Sequence, residues 1–448
     1  VKKIAIIGGG CSAVIVALQL LSQRKVPCQI TVFDPCQRLG LGVAYGTNDP
    51  LHCLNVPASR MGALAEAPDD FLIWLQEHGY SYQGGDFVPR VLYANYLTSR
   101  VEQFLKENAK FSGLTHIKKS VGRISKACNE TNQWKVTAAD GLDSLFDDVV
   151  LALGLPEGGW PRGIKGLEES FSKSPSQFIE NVWEVPHTEN IRNKVVGILG
   201  TGLSAIDVAM SALTKEKSTQ VVLLSRHGLL PKSHFSDAAT RVPNESAQFS
   251  GSLREVTRKF RELCKIYRWD AVIDAIRPSI PTLWSSWGPA ERERFHRHLR
   301  HVWDVHRHRM APHIASQVSE WSRSGRIQVV SGRILEATLL VDRIQLSVRT
   351  SHSKDPIYVL VDKLFNCTGF RTFSSSDYFG LLNQLEEEKI IRLDSSGSGI
   401  EPKSPLSLSL HPGLYVLGAL LRAVRWESIA VPELREQGRE IVQQILGT

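Results

Sequence analysis

Lys3-Ile4-Ala5-Ile6-Ile7-Gly8-Gly9-Gly10-Cys11-Ser12-Ala13 decides the fold. Ile4 to Ile7 is a short apolar run rich in β-branched residues, which suits a strand buried on both faces. It breaks into Gly8-x-Gly10-x-x-Ala13, and Val14 to Leu21 continues with apolar residues at helical spacing. Strand, glycine turn and helix together make a dinucleotide-binding fingerprint. Gly8 permits the tight turn. Gly10 lets backbone approach a pyrophosphate, Ala13 lets the helix pack close to the strand, and the helix N-terminus carrying Cys11 and Ser12 faces the phosphates. A second strand, Gln29 to Phe33, ends at Asp34, 26 positions after Gly8. An acid near that distance suits an adenosine ribose.

The pattern recurs. Lys194 to Leu199 runs into Gly200-x-Gly202-x-x-Ala205, with Ser204 before the alanine, and a helical Ile206 to Leu213 follows. The next strand, Val221 to Leu224, leads to Ser225 and Arg226, the latter 26 positions after Gly200. The same offset therefore carries an acid in one copy and a base in the other. An arginine suits the 2′-phosphate of NADP, which a carboxylate would repel. The pair reads as FAD in the first copy and NADPH in the second.

The chain has 448 residues, room for two or three domains. Apolar content of 42% with 22% charged residues places it among ordinary globular proteins. No apolar run suits a bilayer span. With a strand starting almost at Val1, no signal peptide is expected. The seven cysteines are scattered and never spaced C-x-x-C, which points to reduced thiols and away from a redox disulfide or zinc knuckle. A cytoplasmic, non-membrane protein is expected.

Further along, a glycine-rich stretch (Gly40, Gly42, Gly46) precedes Leu54-Asn55-Val56-Pro57-Ala58. Asp69 or Asp70 could cap a helix Phe71 to Glu77, and Tyr93 to Lys106 reads as another helix. Ile117 to Ile124, Trp134 to Ala138 and Asp148 to Gly154 read as a meander and a strand ending at glycine. The second copy repeats this layout with Arg333 to Leu340, Arg343 to Val348, and Val359 to Phe365 running into Gly369. The expected fold class is α/β: two Rossmann-like, three-layer dinucleotide-binding domains with β-meanders and a helical insertion in the second. Residues 1–160 with 371–448 form the expected FAD domain. Residues 161–370 form the NAD(P)H domain, with the insertion at about 244–323. The C-terminal part returns with a strand ending at Gly418 and a last helix opening near Ala430, Pro432 falling in its first turn.

Gly42-Val43-Ala44-Tyr45-Gly46-Thr47, Leu54 to Ala58, Trp303 to Pro312, and Trp426-Glu427 with Ala430 to Arg435 resemble the two-dinucleotide-binding-domain flavoproteins. More narrowly they are similar to the bacterial FAD/NAD(P)-binding protein family. The resemblance spans nearly the whole chain. It implies FAD at the first glycine turn and NAD(P)H at the second. Some related flavoproteins are single-component monooxygenases of small nitrogen-containing compounds. Two departures stand out: Ala152-Leu153-Gly154 replaces a usual Ala-Thr-Gly, and Gly418-Ala419 replaces a frequent Gly-Asp.

Candidate cofactor-binding residues are therefore Gly8, Gly10, Cys11, Ser12, Ala13, Asp34, Asn55, Gly154, Gly418 and Ala430 for FAD. For NADPH they are Gly200, Gly202, Ser204, Ala205, Ser225, Arg226 and Gly369. Arg60 is a further possible flavin-edge or substrate contact. No catalytic residue can be assigned.

Taken as one helix, Glu291 to Met310 places Phe295, Leu299, Val302, His306 and Met310 on an apolar stripe with His306 facing inward. His301, Asp304 and His308 share another face, but a solvated face is commoner than a metal site there. The arginines of this helix suit an anionic cofactor, an anionic substrate or internal salt bridges better than nucleic acid. The insertion is expected to cover the cleft between the domains and to form part of a substrate pocket.

A flavin beside a nicotinamide implies hydride transfer. The reading is an FAD-dependent, NADPH-using oxidoreductase, a single-component monooxygenase taking molecular oxygen and a small-molecule substrate. The alternatives are a reductase passing electrons to another acceptor, or a flavin-binding regulatory protein with little turnover.

Overall fold

A computed structural model describes residues 1–447 apart from 24–25, 109–110, 128–131, 157, 162, 184–188, 238–239, 246, 352, 371, 374–379, 396 and 403–406. The apolar run at the N-terminus becomes β1 (Lys2–Ile7), and α1 (Cys11–Ser22) and β2 (Cys28–Phe33) complete the first βαβ unit. Short α2 (Gly42–Tyr45), then α3 (Asp70–Glu77) and α4 (Arg90–Glu107), lead to β3 (Gly113–Ile117). An antiparallel meander, β4 (Val121–Lys126), β5 (Trp134–Ala138) and β6 (Asp143–Phe146), precedes β7 (Asp148–Leu151).

The second unit opens with α5 (Leu167–Lys173) and β8 (Phe178–Ile179), then repeats the pattern: β9 (Val195–Leu199), α6 (Leu203–Lys215), β10 (Gln220–Ser225). Five helices follow: α7 (Leu253–Leu263), α8 (Trp269–Ile276), α9 (Ile280–Ser286), α10 (Pro289–His298) and α11 (Arg300–Arg307). Next come α12 (Pro312–Arg323), β11 (Ile327–Ser331), a second meander of β12 (Arg333–Leu339), β13 (Ile344–Arg349) and β14 (Ile357–Val361), and β15 (Lys363–Asn366). The chain closes with α13 (Gly380–Glu387), β16 (Ser409–His411), β17 (Leu414–Val416) and α14 (Val431–Leu446).

Two large sheets carry the fold. Their orders are β16-β17-β7-β1-β2-β3 and β11-β10-β9-β15-β8. β1 lies parallel between β2 and β7, and β9 parallel between β10 and β15. Residues 414–416 thus complete a sheet begun at Lys2. On its face α14 lies against α1. At Gly438 a Cβ would come within 2.7 Å of Gln19, whose Nε2 donates to the Arg435 carbonyl at 2.9 Å.

Several readings change. Val359 to Phe365 is not one strand. Asp362 accepts the Val195 N–H at 2.6 Å and pairs with Arg343 at 3.2 Å, which turns the chain from the meander into the main sheet. Ile117 to Ile124 likewise divides between two sheets. Asp70 does not cap α3; it meets Arg100 at 2.8 Å and accepts from the Tyr96 hydroxyl at 2.7 Å. Glu291 to Met310 breaks at Leu299 into α10 and α11. The break rotates the expected stripe: Val302 is 42% exposed, whereas Arg307 and Arg309 are buried. Finally α12, counted with the insertion in sequence, packs Ile314, Val318 and Trp321 with α6 and the second sheet. The helices before it have their own apolar core, closed by Trp426.

Candidate active site

Both glycine turns end a central strand in the same way. Gly8 has φ +102° and Gly200 φ +110°. A Cβ on Gly8 would lie 2.4 Å from the Ala152 carbonyl oxygen, and one on Gly200 would lie 2.3 Å from that of Cys367. Gly8 N–H donates to Phe33 and Gly200 N–H to Leu224, at 2.9 and 2.7 Å. Each turn then opens into a helix whose N-cap is glycine, Gly10 or Gly202, with no side-chain cap and no acid in the first turn. The first-turn N–H groups of such helices have no intrahelical acceptor and present positive dipole ends.

This arrangement fits dinucleotides. At Gly202 an added Cβ meets nothing within 4 Å, and at Gly10 it meets only the Cα of Gly42 at 3.8 Å. There is thus open space over uncapped N–H groups, which a pyrophosphate can fill. Ala13 and Ala205 are fully buried beneath the turns. Cys11 also turns inward, where burial pushes its thiol up to about 12, so only its backbone can serve a ligand. Ser204 sits half-buried in the first turn of α6. Ser12 stands beside Gly418: a Cβ there would lie 3.2 Å from the serine Oγ. Gly418 has φ +73°, and its N–H donates to Gln437 Oε1 at 2.8 Å. Gly154 and Gly369, both at positive φ, follow the strands neighbouring β1 and β9, with free space where side chains would be. Ala430 is the N-cap of α14.

The acid and the base are not at equivalent places. Ile7 pairs with Phe33, but Leu199 pairs with Leu224. The residue matching Asp34 is therefore Ser225, and Arg226 lies one position further. The side chains agree. Asp34 accepts the Gly9 N–H at 2.6 Å, while the Ser225 hydroxyl accepts from Thr201, the counterpart of Gly9, at 3.0 Å. Arg226 is exposed and has no ion pair or side-chain hydrogen bond with a described residue. Next to it, His227 stacks on His301 with ring centroids 3.9 Å apart.

The two units are clamped together. Arg90 of the first meets Asp207 of α6 at 2.8 Å, both largely buried. Burial raises the Asp207 carboxyl to about 6, with Arg90 working against that rise. His52 Nδ1 bonds Thr47 at 2.7 Å and its Nε2 bonds Ser211 at 2.8 Å; Ser211 donates on to Asp49 at 2.7 Å. Cys53 lies 3.6 Å from His313, and burial pushes its thiol up to about 11. Cys367 is pushed higher for the same reason. Both stay protonated and make poor nucleophiles.

A cavity of about 1110 Å³ opens between the insertion, α14 and the loop after Asn55. Arg60, Asp274, Arg277, Arg309 and Glu433 line it, with Gln437 connecting its wall to Gly418. Its charges are mostly paired: Arg309 with Asp274 at 3.0 Å, Arg277 with Glu433 at 2.5 Å. His234 also lines it. His234 Nε2–H donates to the Asn55 carbonyl at 3.0 Å, which fixes the tautomer and leaves Nδ1 as an acceptor. Burial, with Arg309 close by, draws this imidazole down to about 4. Glu427, also in the cavity wall, accepts from Trp303 Nε1 at 2.9 Å and pairs with Arg307 at 3.1 Å. Arg307 also reaches Glu433 at 3.6 Å.

Sequence reasoning missed His234, the Arg90–Asp207 clamp and the Arg307–Glu427 pair. The two strings Trp303 to Pro312 and Trp426 to Arg435 did flag this region, since they meet here. The structure does not join His301, Asp304 and His308 around a point: among the described residues no three His, Cys, Asp or Glu gather to hold a metal. Among them, too, no helix is long and apolar enough to cross a membrane.

Residues 5–156 match the model of the FAD-NAD(P)-binding family. The uncharacterized protein YdhS of Escherichia coli (strain K12) is 23% identical over 266 residues, 52% of this chain and 47% of the relative. The chain thus spans about half the length of that curated relative. Solved structures share the fold over the whole chain. The cadaverine monooxygenase of Erwinia amylovora, bound to FAD, superposes with a TM-score of 0.67 at 14% identity, covering 100% of this chain and 94% of that one. The ornithine hydroxylase of Pseudomonas aeruginosa superposes at 0.64 and 15%, covering 100% and 99%. Both likenesses establish the two-unit flavoprotein fold.

Proposed function

We propose that the chain is an FAD-dependent, NADPH-using oxidoreductase that hydroxylates a small polar, nitrogen-containing molecule. Residues 1–160 with 371–448 are the flavin domain in this reading, and 161–370 the nicotinamide domain. The observation that carries it is the presence in one chain of two open glycine turns, together with a large, charge-lined cavity whose wall Gln437 links to Gly418. Gly8, Gly10, Cys11, Ser12 and Ala13 hold the FAD pyrophosphate, Asp34 takes the ribose hydroxyls, and Asn55, Gly154, Gly418 and Ala430 bound the rest. Gly200, Gly202, Ser204, Ala205 and Gly369 hold NADPH, with Ser225 and Arg226 on its 2′-phosphate.

The bound flavin supplies acceptance of a hydride from NADPH and onward delivery of two electrons. Overall one atom of molecular oxygen enters the substrate and the other leaves as water. His234, neutral with a fixed tautomer, offers Nδ1 to an N–H of the substrate. The fold relatives titled as an ornithine hydroxylase and a cadaverine monooxygenase support the class. The absence of any C-x-x-C in the sequence disfavours disulfide reduction.

The test is a screen of small amines, amino acids and purines for stimulated NADPH oxidation with matching hydroxylated product. Coupled product from at least one class is expected. NADPH oxidation that yields only hydrogen peroxide across the screen, but speeds up with quinones or protein acceptors, would replace this reading by a reductase.

A further inference from the structure

Helix α8 is a partition. One face gives Asp270 and Asp274 to the charged cavity. The other gives Trp269, Ile273 and Ile276 to a second cavity of about 460 Å³ inside the helical insertion. Phe260, Trp284, Trp287, Phe295, Trp303 and Trp426 form much of its remaining wall. It is a groove half open to solvent, and at about 460 Å³ it falls among small-molecule sites of roughly 300–1,000 Å³.

Among the described residues its formal charges have one sign and no carboxylate lines it. Arg261 and Lys265, four positions apart at the C-terminal end of α7, stand exposed at its edge. Neither has an ion pair or side-chain hydrogen bond with a described residue. The arrangement complements a molecule with an apolar tail and an anionic head. We propose that this cavity binds one medium-chain monocarboxylate, its alkyl tail among the tryptophans and its carboxylate on Arg261 and Lys265. The site is separate from the glycine turns and does not depend on the redox reading.

The experiment titrates the full chain with sodium decanoate below its micelle concentration, reading heat, tryptophan fluorescence and melting temperature. One saturable site per chain and a raised melting temperature are expected. Decanol should bind at least about tenfold more weakly, for want of a charge-assisted contact. The exposed double variant Arg261→Glu, Lys265→Glu keeps the fold and should lose decanoate by a similar factor while binding decanol as before. Failure of both probes to saturate would overturn the site. Equal decanoate binding by the double variant would overturn the head-group assignment. Sedimentation of a dimer that excludes the probe would show the cavity to be an interface with a second copy.

Discussion

Asp34 and Ser225 stand at one structural position in two copies of the same motif, each bound to the residue after its own first glycine. A carboxylate there accepts ribose hydroxyls; a hydroxyl followed by the exposed Arg226 suits a phosphate instead. NADPH should therefore be preferred over NADH. Arg226→Ala should raise the KM for NADPH tenfold to a hundredfold, about 1.5–3 kcal/mol, leaving NADH unaffected. Arg226→Asp should reverse the preference with flavin content unchanged. Steady-state kinetics with both nicotinamides check this, and equal use of the two by the native protein refutes it.

Gly8 and Gly10 should fail differently when substituted. Gly8→Ala forces a methyl group to 2.4 Å from the Ala152 oxygen at φ +102°, so the fold itself loses stability, by at least about 1–2 kcal/mol. Gly10→Val meets almost no protein atoms. It should give a folded, colourless protein, because the branched side chain takes the pyrophosphate's space. Circular dichroism and flavin absorbance separate the outcomes. A yellow Gly10→Val protein of normal occupancy would end the site assignment.

Asp207 predicts a pH effect. Its folded-state carboxyl titrates at about 6 against an ordinary 3.8, so the folded state holds the extra proton between these values. Its contribution to stability is complete below the lower value and is lost as pH rises through the upper one, by about 2–3 kcal/mol at most. In Asp207→Asn this part of the fall should vanish. Urea unfolding at pH 4 and pH 7 in both proteins gives the double difference, and identical pH dependence would contradict the assignment.

Glu427→Gln should loosen the insertion. Arg307 is 5% exposed and, among the described residues, would keep only Glu433, at 3.6 Å, as an ion-pair partner. Removing one member of a buried pair costs about 3 kcal/mol. Limited proteolysis should then cut within α7 to α11 while the two sheets persist. Unchanged resistance would mean that Trp426 and its neighbours suffice to hold the helices.

His234→Phe should keep both cofactors but reduce substrate-stimulated turnover at least tenfold, with NADPH diverted to peroxide. Since the native imidazole is neutral above about pH 4, His234 should add no titration step to the rate between pH 5.5 and 8. Undiminished coupling in the variant would remove His234 from the site.

The glycine turns were legible because they are local: a strand end, a positive φ and a helix start within six residues admit few alternatives. Equivalence between copies was not. Counting residues equated Asp34 with Arg226, because the stretch from glycine to second strand is one residue shorter in the second copy, and only strand pairing reveals that. Helical periodicity ran Glu291 to Met310 together and hid the break at Leu299, while Arg307 finds its partner Glu427 in a remote segment. His234 carries no sequence signal at all. Its role comes from a hydrogen bond to Asn55, and such pairing is written only in three dimensions.

The placement of β17 beside β7 sets an order on biosynthesis. While the ribosome is still making the last third of the chain, β7 has no neighbour on its open side and α1 has no α14 to cover it. The second sheet is complete once Asn366 has emerged. The nascent chain therefore finishes its second unit first and carries an unfinished first unit until residues 414–446 have emerged. Flavin retention accordingly reports on full-length synthesis: a chain stopped before Leu414 should leave the ribosome with one folded half and no colour.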